Sequence, residues 1–167
     1  MGVAIRSARP TDSEAWQDLF ESVAAEGRWI GAEPPVAGFA PALFERHLGD
    51  GHSAFFVVDA DETLVGWITA EVDEATGSAE LGMGISANHR GQGIGTAMMQ
   101  AVVDWARSRG IERLWLEVFP HNAAAIALYE RFSFVETGRR VGAWPRRDGQ
   151  RWDLVTMERR SQLDRAV

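Results

Sequence analysis

The sequence predicts an α+β fold: a mixed, mostly antiparallel sheet of about seven strands flanked by about four helices. Three observations predict it. The 167 residues, with 46% hydrophobic and 25% charged content, suit one globular domain with a sizeable core. Apolar residues recur at helical spacing in some segments and alternate in others. The segments follow the order strand, two helices, three strands, helix, strand, helix, two strands, which is not the strict alternation of a doubly wound chain.

Val3 to Ala8 reads as a short strand, and Thr11-Asp12-Ser13-Glu14 as a capping box opening a helix that runs to about Glu26. From Gly27 to Pro41, three prolines and three glycines surround Trp29 and Phe39, which reads as an ordered loop, either a shaped substrate entrance or a plain connector. A short helix covers Ala42 to Leu48. Ser53 to Asp59 and Thr63 to Val72 then pair as a hairpin around Ala60-Asp61-Glu62, and Ser78 to Ser86 extends it into a meander. Ile94, Ala97, Met98, Ala101, Val102 and Trp105 mark a helix closed by Gly110 after Arg107 and Arg109. Leu114, Leu116 and Val118 alternate in a strand, Asn122 to Phe132 forms a helix, and Phe134 to Val141 with Arg151 to Arg159 read as closing strands. The domain is expected to span 1–160, with 161–167 as a polar tail.

Composition removes several function classes. A formal net charge of -7 disfavours a protein that grips nucleic acid through many phosphates. With no cysteine there are no disulfides, thiolate metal sites or cysteine nucleophiles, and a cytoplasmic address is expected. No stretch has the length and apolarity of a signal peptide or a membrane span, so no membrane partner is expected.

The segment with the most chemical content is Arg90-Gly91-Gln92-Gly93-Ile94-Gly95-Thr96, placed between a strand and the start of a strong helix. Glycines reach backbone angles closed to other residues, and unpaired NH groups with the helix dipole favour an anion there. A tight turn alone would need fewer glycines. The segment lacks the lysine of a P-loop, and its Gly-x-Gly-x-Gly spacing after a meander does not fit the dinucleotide fingerprint.

Arg90 to Gly95 resembles the Arg-x-x-Gly-x-Gly motif of the GCN5-related N-acetyltransferases, preceded here by Leu81-Gly82-Met83-Gly84-Ile85. Asn122-Ala123-Ala124-Ala125-Ile126-Ala127-Leu128-Tyr129-Glu130-Arg131-Phe132 is similar to the family's second signature, an asparagine leading a helix with a tyrosine seven residues on. The element order matches the family's fold over nearly the whole chain. Ile5-Arg6 with Pro10-Thr11-Asp12, and Asp148-Gly149 with Asp153 and Met157, are similar to bacterial members that acetylate free amino acids or small amines. One departure is Ser133, where the family usually has glycine before the aromatic residue.

The resemblance implies acetyl-CoA as co-substrate, a small-molecule amine as acceptor and a homodimer, as similar proteins often are. Strands four and five would part beyond Ile85 and Val118. Pantetheine would bond the backbone of Met83, Gly84 and Ile85, and the pyrophosphate would meet Arg90, Gly91, Gln92, Gly93, Ile94, Gly95 and Thr96, with Arg90 adding a charge. Asn122 would hold the arm from the far side. Tyr129, the only tyrosine, would protonate the departing thiolate. For the general base, Glu80 comes first, then Glu71, with Glu117 or a water chain as alternatives. A protein N-terminal or lysine acetyltransferase and a non-catalytic acyl-CoA sensor are the rival functions.

His47, His52, His89 and His121 show no metal-ligand spacing, so no metal is expected. Trp67, Trp105 and Trp115 fall on core elements, whereas Trp29, Trp144 and Trp152 are freer to line an acceptor pocket. Arg139, Arg140, Arg146, Arg147 and Arg151 read as a solvated face, or as a counter to an acidic substrate.

Overall fold

The computed structural model describes residues 2–49 and 51–161. In chain order its elements are β1 (Val3–Ser7), α1 (Ser13–Ala25), α2 (Ala40–Leu48), β2 (Ala54–Ala60), β3 (Thr63–Asp73), β4 (Ser78–Ile85), α3 (Ile94–Ser108), β5 (Arg113–Val118), α4 (Ala123–Arg131), β6 (Val135–Pro145) and β7 (Arg151–Arg160). The strands form one sheet in the order β1-β2-β3-β4-β5-β7-β6. This is the α+β arrangement that the element order predicts. Residues 162–167 of the expected tail lie outside the described residues.

β1 through β4 pair antiparallel: short turns join β2 to β3 and β3 to β4, while β1 returns alongside β2 after the α1–α2 excursion. The hairpin between β2 and β3 turns on Asp61 and Glu62, both at positive φ (48° and 64°), the geometry that matches the twist of a two-residue turn. Among the described residues the one parallel pair is β4 with β5, because a parallel neighbour needs a crossover and α3 supplies it. β3 lies inside the sheet between β2 and β4, and Leu64 to Ala70 are all buried.

Adjacent residues on a strand point to opposite faces, and the core is accordingly double. Ile68 and Val58 face α3, whose buried stripe is Ile94, Met98, Met99, Val102, Val103 and Ala106. Trp67 and Val57 face α1 and α2. There Trp16 is fully buried, with ring centroids 4.9 Å from Phe20, 5.5 Å from Phe44 and 5.9 Å from Trp67. Truncating such a residue to alanine costs about 3–5 kcal/mol. α1 and α2 pack on β2 and β3, with α1 also reaching β4, and neither covers β5 and β7, so that part of the face is open.

Two local expectations are corrected. Thr11 and Glu14 do not cap α1. Asp12 instead accepts from the Arg9 backbone NH at 2.7 Å and takes both terminal nitrogens of Arg6, at 2.7 and 2.8 Å, which ties the helix start to β1. β6 runs on to Pro145 rather than stopping at Val141. A register shift between Arg140 and Trp144, with Gly142 at φ 57° and its NH on Asp153 Oδ1 (2.8 Å), carries the strand through a bulge.

Candidate active site at the split in the sheet

The parallel pair is incomplete. β4 and β5 pair only at Ser78–Arg113, Ala79–Leu114 and Glu80–Trp115, although both strands continue. The separation therefore begins after Glu80 and Trp115, earlier than the expected parting beyond Ile85 and Val118. On its other edge β4 stays paired with β3 to Ile85, so the exposed edge is held straight. Gly84 keeps that edge close to its neighbour, because a Cβ there would overlap the Trp67 indole.

Beyond Ile85 the chain enters the glycine loop, where the three glycines serve two purposes. Gly91 and Gly93 have φ of 73° and 83°, and a Cβ at either would meet nothing within 4 Å, so conformation is the reason for glycine and the space above is open. Gly95 lies within the helix, where a Cβ would stand 2.9 Å from Leu128 Cδ2, so closeness to α4 is the reason there. Its surroundings also include Ile85 and Met83, at 3.5 and 3.9 Å, so β4, α3 and α4 converge at this point. The first helical hydrogen bond runs from Ala97 NH to Gly93 O (3.0 Å), and the preceding NH groups have no acceptor within the helix. Those groups and the helix dipole make an anion site. Gln92 braces the loop by donating to Asn88 O at 2.9 Å, and Ile94 is buried beneath it.

Arg90 is placed differently from the expected phosphate contact. Its guanidinium meets Glu26 at the end of α1 at 2.7 and 2.5 Å, and its Nε donates to Ile85 O at 3.0 Å. Arg90 holds the Glu26 carboxyl below the usual carboxylate range.

On α4, Asn122 caps the helix by accepting from Ala125 NH at 3.3 Å. Tyr129 lies seven residues on, two turns along the same face, and is buried against Phe134. Burial alone drives the Tyr129 hydroxyl well above the usual phenol value, so it stays protonated at neutral pH.

The open face carries three glutamates. Glu71 and Glu80 are cross-strand partners, Glu80 pairs with Trp115, and Glu117 lies two residues beyond Trp115 on the same face. Glu71 is engaged by Arg46 at 2.8 Å and by His47 Nδ1 at 2.9 Å, and Glu117 by Arg140. Among the described residues, Glu80 has no such ion pair. Burial first, then repulsion from Glu117 and Glu71, pushes its carboxyl up. A cavity of about 350 Å³ lies at its side, lined also by Asp73, Ser78, Arg113 and Trp115.

The loop from Gly27 to Pro35 crosses from the β4 side to the β5 side as a strap, and its anchor escaped sequence reasoning. Arg146 is not solvated: its side chain is 2% exposed, and it donates to Gly27 O at 3.0 Å and Gly31 O at 3.3 Å, with Glu33 at 3.4 Å. Its guanidinium stacks over Trp152 at 4.1 Å. Trp144 packs on Gly31, whose missing Cβ makes room for the indole. At the near end Trp29 donates to Glu26 Oε2 at 2.6 Å, and His121 Nε2 lies 2.6 Å from Arg28 O. Trp29, Trp144 and Trp152 thus form the strap and its footing. No local pattern marks Arg146 among the five arginines of its region.

The family model described as the acetyltransferase (GNAT) family matches residues 12–134. Streptothricin acetyltransferase from Streptomyces lavendulae is 35% identical over 156 residues, 80% of this chain and 82% of that protein. The N-acetyltransferase YobR of Bacillus subtilis (strain 168) is 32% identical over 114 residues, 64% of this chain and only 44% of that longer protein. Among solved structures, the ribosomal-protein-S18-alanine N-acetyltransferase from Escherichia coli superposes with a TM-score of 0.76 at 28% identity, covering 94% of this chain and 92% of that one. A phosphinothricin acetyltransferase from Sinorhizobium meliloti, in complex with AcCoA, shares the fold with a TM-score of 0.83 at 20% identity, covering 96% and 89%.

Proposed function

The chain belongs to the acetyltransferase (GNAT) family, and from that premise we propose that it is an acetyl-CoA-dependent N-acetyltransferase acting on the primary amine of a small molecule such as an amino acid. The observation that carries this reading is the parting of β4 from β5 after Glu80 and Trp115, beside a helix start whose NH groups are unpaired. The exposed backbone of Met83, Gly84 and Ile85 would take the pantetheine amides, and the NH groups from Gly91 to Thr96 the pyrophosphate. Arg90, held by Glu26, would contribute through its backbone and by closing the β4 end. Asn122 would offer its side-chain amide to the arm from the α4 side.

Bound acetyl-CoA supplies a thioester, an acyl group already activated for attack. Glu80, directly or through water, takes the proton that an ammonium group must lose before its nitrogen can attack. The Met83 NH or its neighbour stabilises the oxygen charge that develops on the carbonyl. As the carbon–sulfur bond breaks, Tyr129 gives its hydroxyl proton to the thiolate and regains one from solvent. Positioning of both reactants supplies much of the rate. Transfer is direct, with no acyl-enzyme step.

The likeness to the S18-alanine enzyme favours a second reading, a protein N-terminus as acceptor. The strap across the open face supports the small acceptor, since Arg146 and Trp144 hold it down where a polypeptide would need room. Thiol release from acetyl-CoA, measured across amino acids, polyamines, aminoglycosides and peptides, tests the assignment. Release with small amines is expected. Release with peptides alone would move the acceptor to protein, and binding without release to any amine would make the domain an acyl-CoA sensor.

A further inference from the structure

A second cavity, of about 400 Å³, opens on the flank of α3 away from the split. Thr96, Gln100 and Arg107 line it from α3 at spacings that keep them on one side of the helix, and Arg131, Ser133 and Arg159 close it from the end of α4 and from β7. Three of these residues are arginines and none of the residues lining it is acidic, in a chain whose formal net charge is -7.

The arginines are poorly compensated. Among the described residues Arg107 has only Asp104, at 3.5 Å and exposed to solvent, where such a pair contributes little. Arg131 donates to the Thr96 hydroxyl at 3.2 Å, a neutral partner. Arg159 is half-buried, and desolvation together with the charge of Arg107 lowers its pKa. Like charges converging on one cavity are unfavourable unless an anion joins them.

We propose that this cavity is a binding site for a phosphate monoester, held by the guanidinium groups of Arg107, Arg131 and Arg159 with the hydroxyls of Thr96 and Ser133. Guanidinium forks match the oxygens of a doubly charged phosphate, and hydroxyls complete such a shell. The volume exceeds that of phosphate alone and leaves room for the group that carries it. Thr96 belongs both to this cavity and to the first turn above the glycine loop, so the two anion sites adjoin. Two sources have the required chemistry: the 3′-phosphate on the ribose of CoA, and a separate phosphorylated molecule. The first rests on the proposed function, whereas the site itself does not.

Calorimetry on the full chain separates these cases, with acetyl-CoA, 3′-dephospho-acetyl-CoA and inorganic phosphate titrated at constant ionic strength into wild type, Arg159→Gln and the surface variant Arg107→Gln. The expected result is that wild type prefers acetyl-CoA over the dephospho form by roughly tenfold, the scale of a charge-assisted hydrogen bond, and that both variants lose the preference while keeping dephospho binding. Equal binding of the two CoA forms, with inorganic phosphate binding that the variants abolish, supports the site with a separate phosphorylated ligand. Phosphate binding that the variants abolish, with no binding of either CoA form, keeps the site and removes the proposed function. Absence of any phosphate dependence, or variants that behave as wild type, overturns the proposal.

Discussion

The two banks of the split are built by different means. The β4–α3 bank is made of backbone: a strand edge, two glycines at positive φ and the open start of a helix, all within Leu81 to Thr96. The opposite, acceptor-side bank is made of side chains from distant segments, with Arg146 reaching Gly27 across 119 residues and His121 reaching Arg28 across 93. A backbone site recognises what every CoA thioester shares. A side-chain site is free to change with the acceptor. On the proposed function, cofactor and acceptor recognition are physically separable in this molecule, and substitutions should divide along the same line.

The largest catalytic effect should come between the banks. Tyr129→Phe is expected to lower kcat at least about tenfold while acetyl-CoA affinity hardly changes, as removal of a general acid does. Thermal stability should hold, since among the described residues that buried hydroxyl makes no hydrogen bond that the substitution would remove. Unchanged turnover would remove the role. On the acceptor bank, Arg146→Ala removes the donors to the Gly27 and Gly31 carbonyls and the ion pair with Glu33, and should cost about 2–4 kcal/mol of stability. Steady-state kinetics should show KM for the amine rising several-fold, with kcat less affected. A rise in KM for acetyl-CoA of the same size would erase the distinction between the banks.

The pH profile gives a smaller effect with a definite sign. A base at Glu80 would work only when ionised, and burial, with repulsion from Glu117 and Glu71, raises its pKa. The rate should therefore climb with pH through a value above the ordinary carboxylate range. Glu80→Gln should flatten that limb, and a limb that persists would assign the base elsewhere. The smallest effect is at Ser133, a non-glycine residue at φ 64° after α4, where Ser133→Gly should raise stability by about 1 kcal/mol, read as a higher Tm.

That serine also shows how legibility depended on range. It stands where the family usually has glycine, and its φ of 64° is a conformation glycine takes without strain. α3 was readable because one face carries Ile94, Met98 and Val102 at regular spacing, and the glycine loop because its reasons are local. β6 was read short because an exposed edge strand has no alternation to extend through the Gly142 bulge. The side-chain partners of Arg90 and Arg146 are invisible in the sequence for a common reason. Their partners, Glu26 and the Gly27–Glu33 loop, are brought to them only by the fold, and one arginine in sequence looks like another.

The separation of the two banks is tested most directly by titrating acetyl-CoA into Gly93→Val and Arg146→Ala side by side, with circular dichroism to confirm that both are folded. A branched residue at φ 83° displaces the loop's NH groups, so Gly93→Val should bind at least about a hundredfold more weakly, while Arg146→Ala binds as wild type does. Normal binding by Gly93→Val, or loss of binding in Arg146→Ala, would contradict the account.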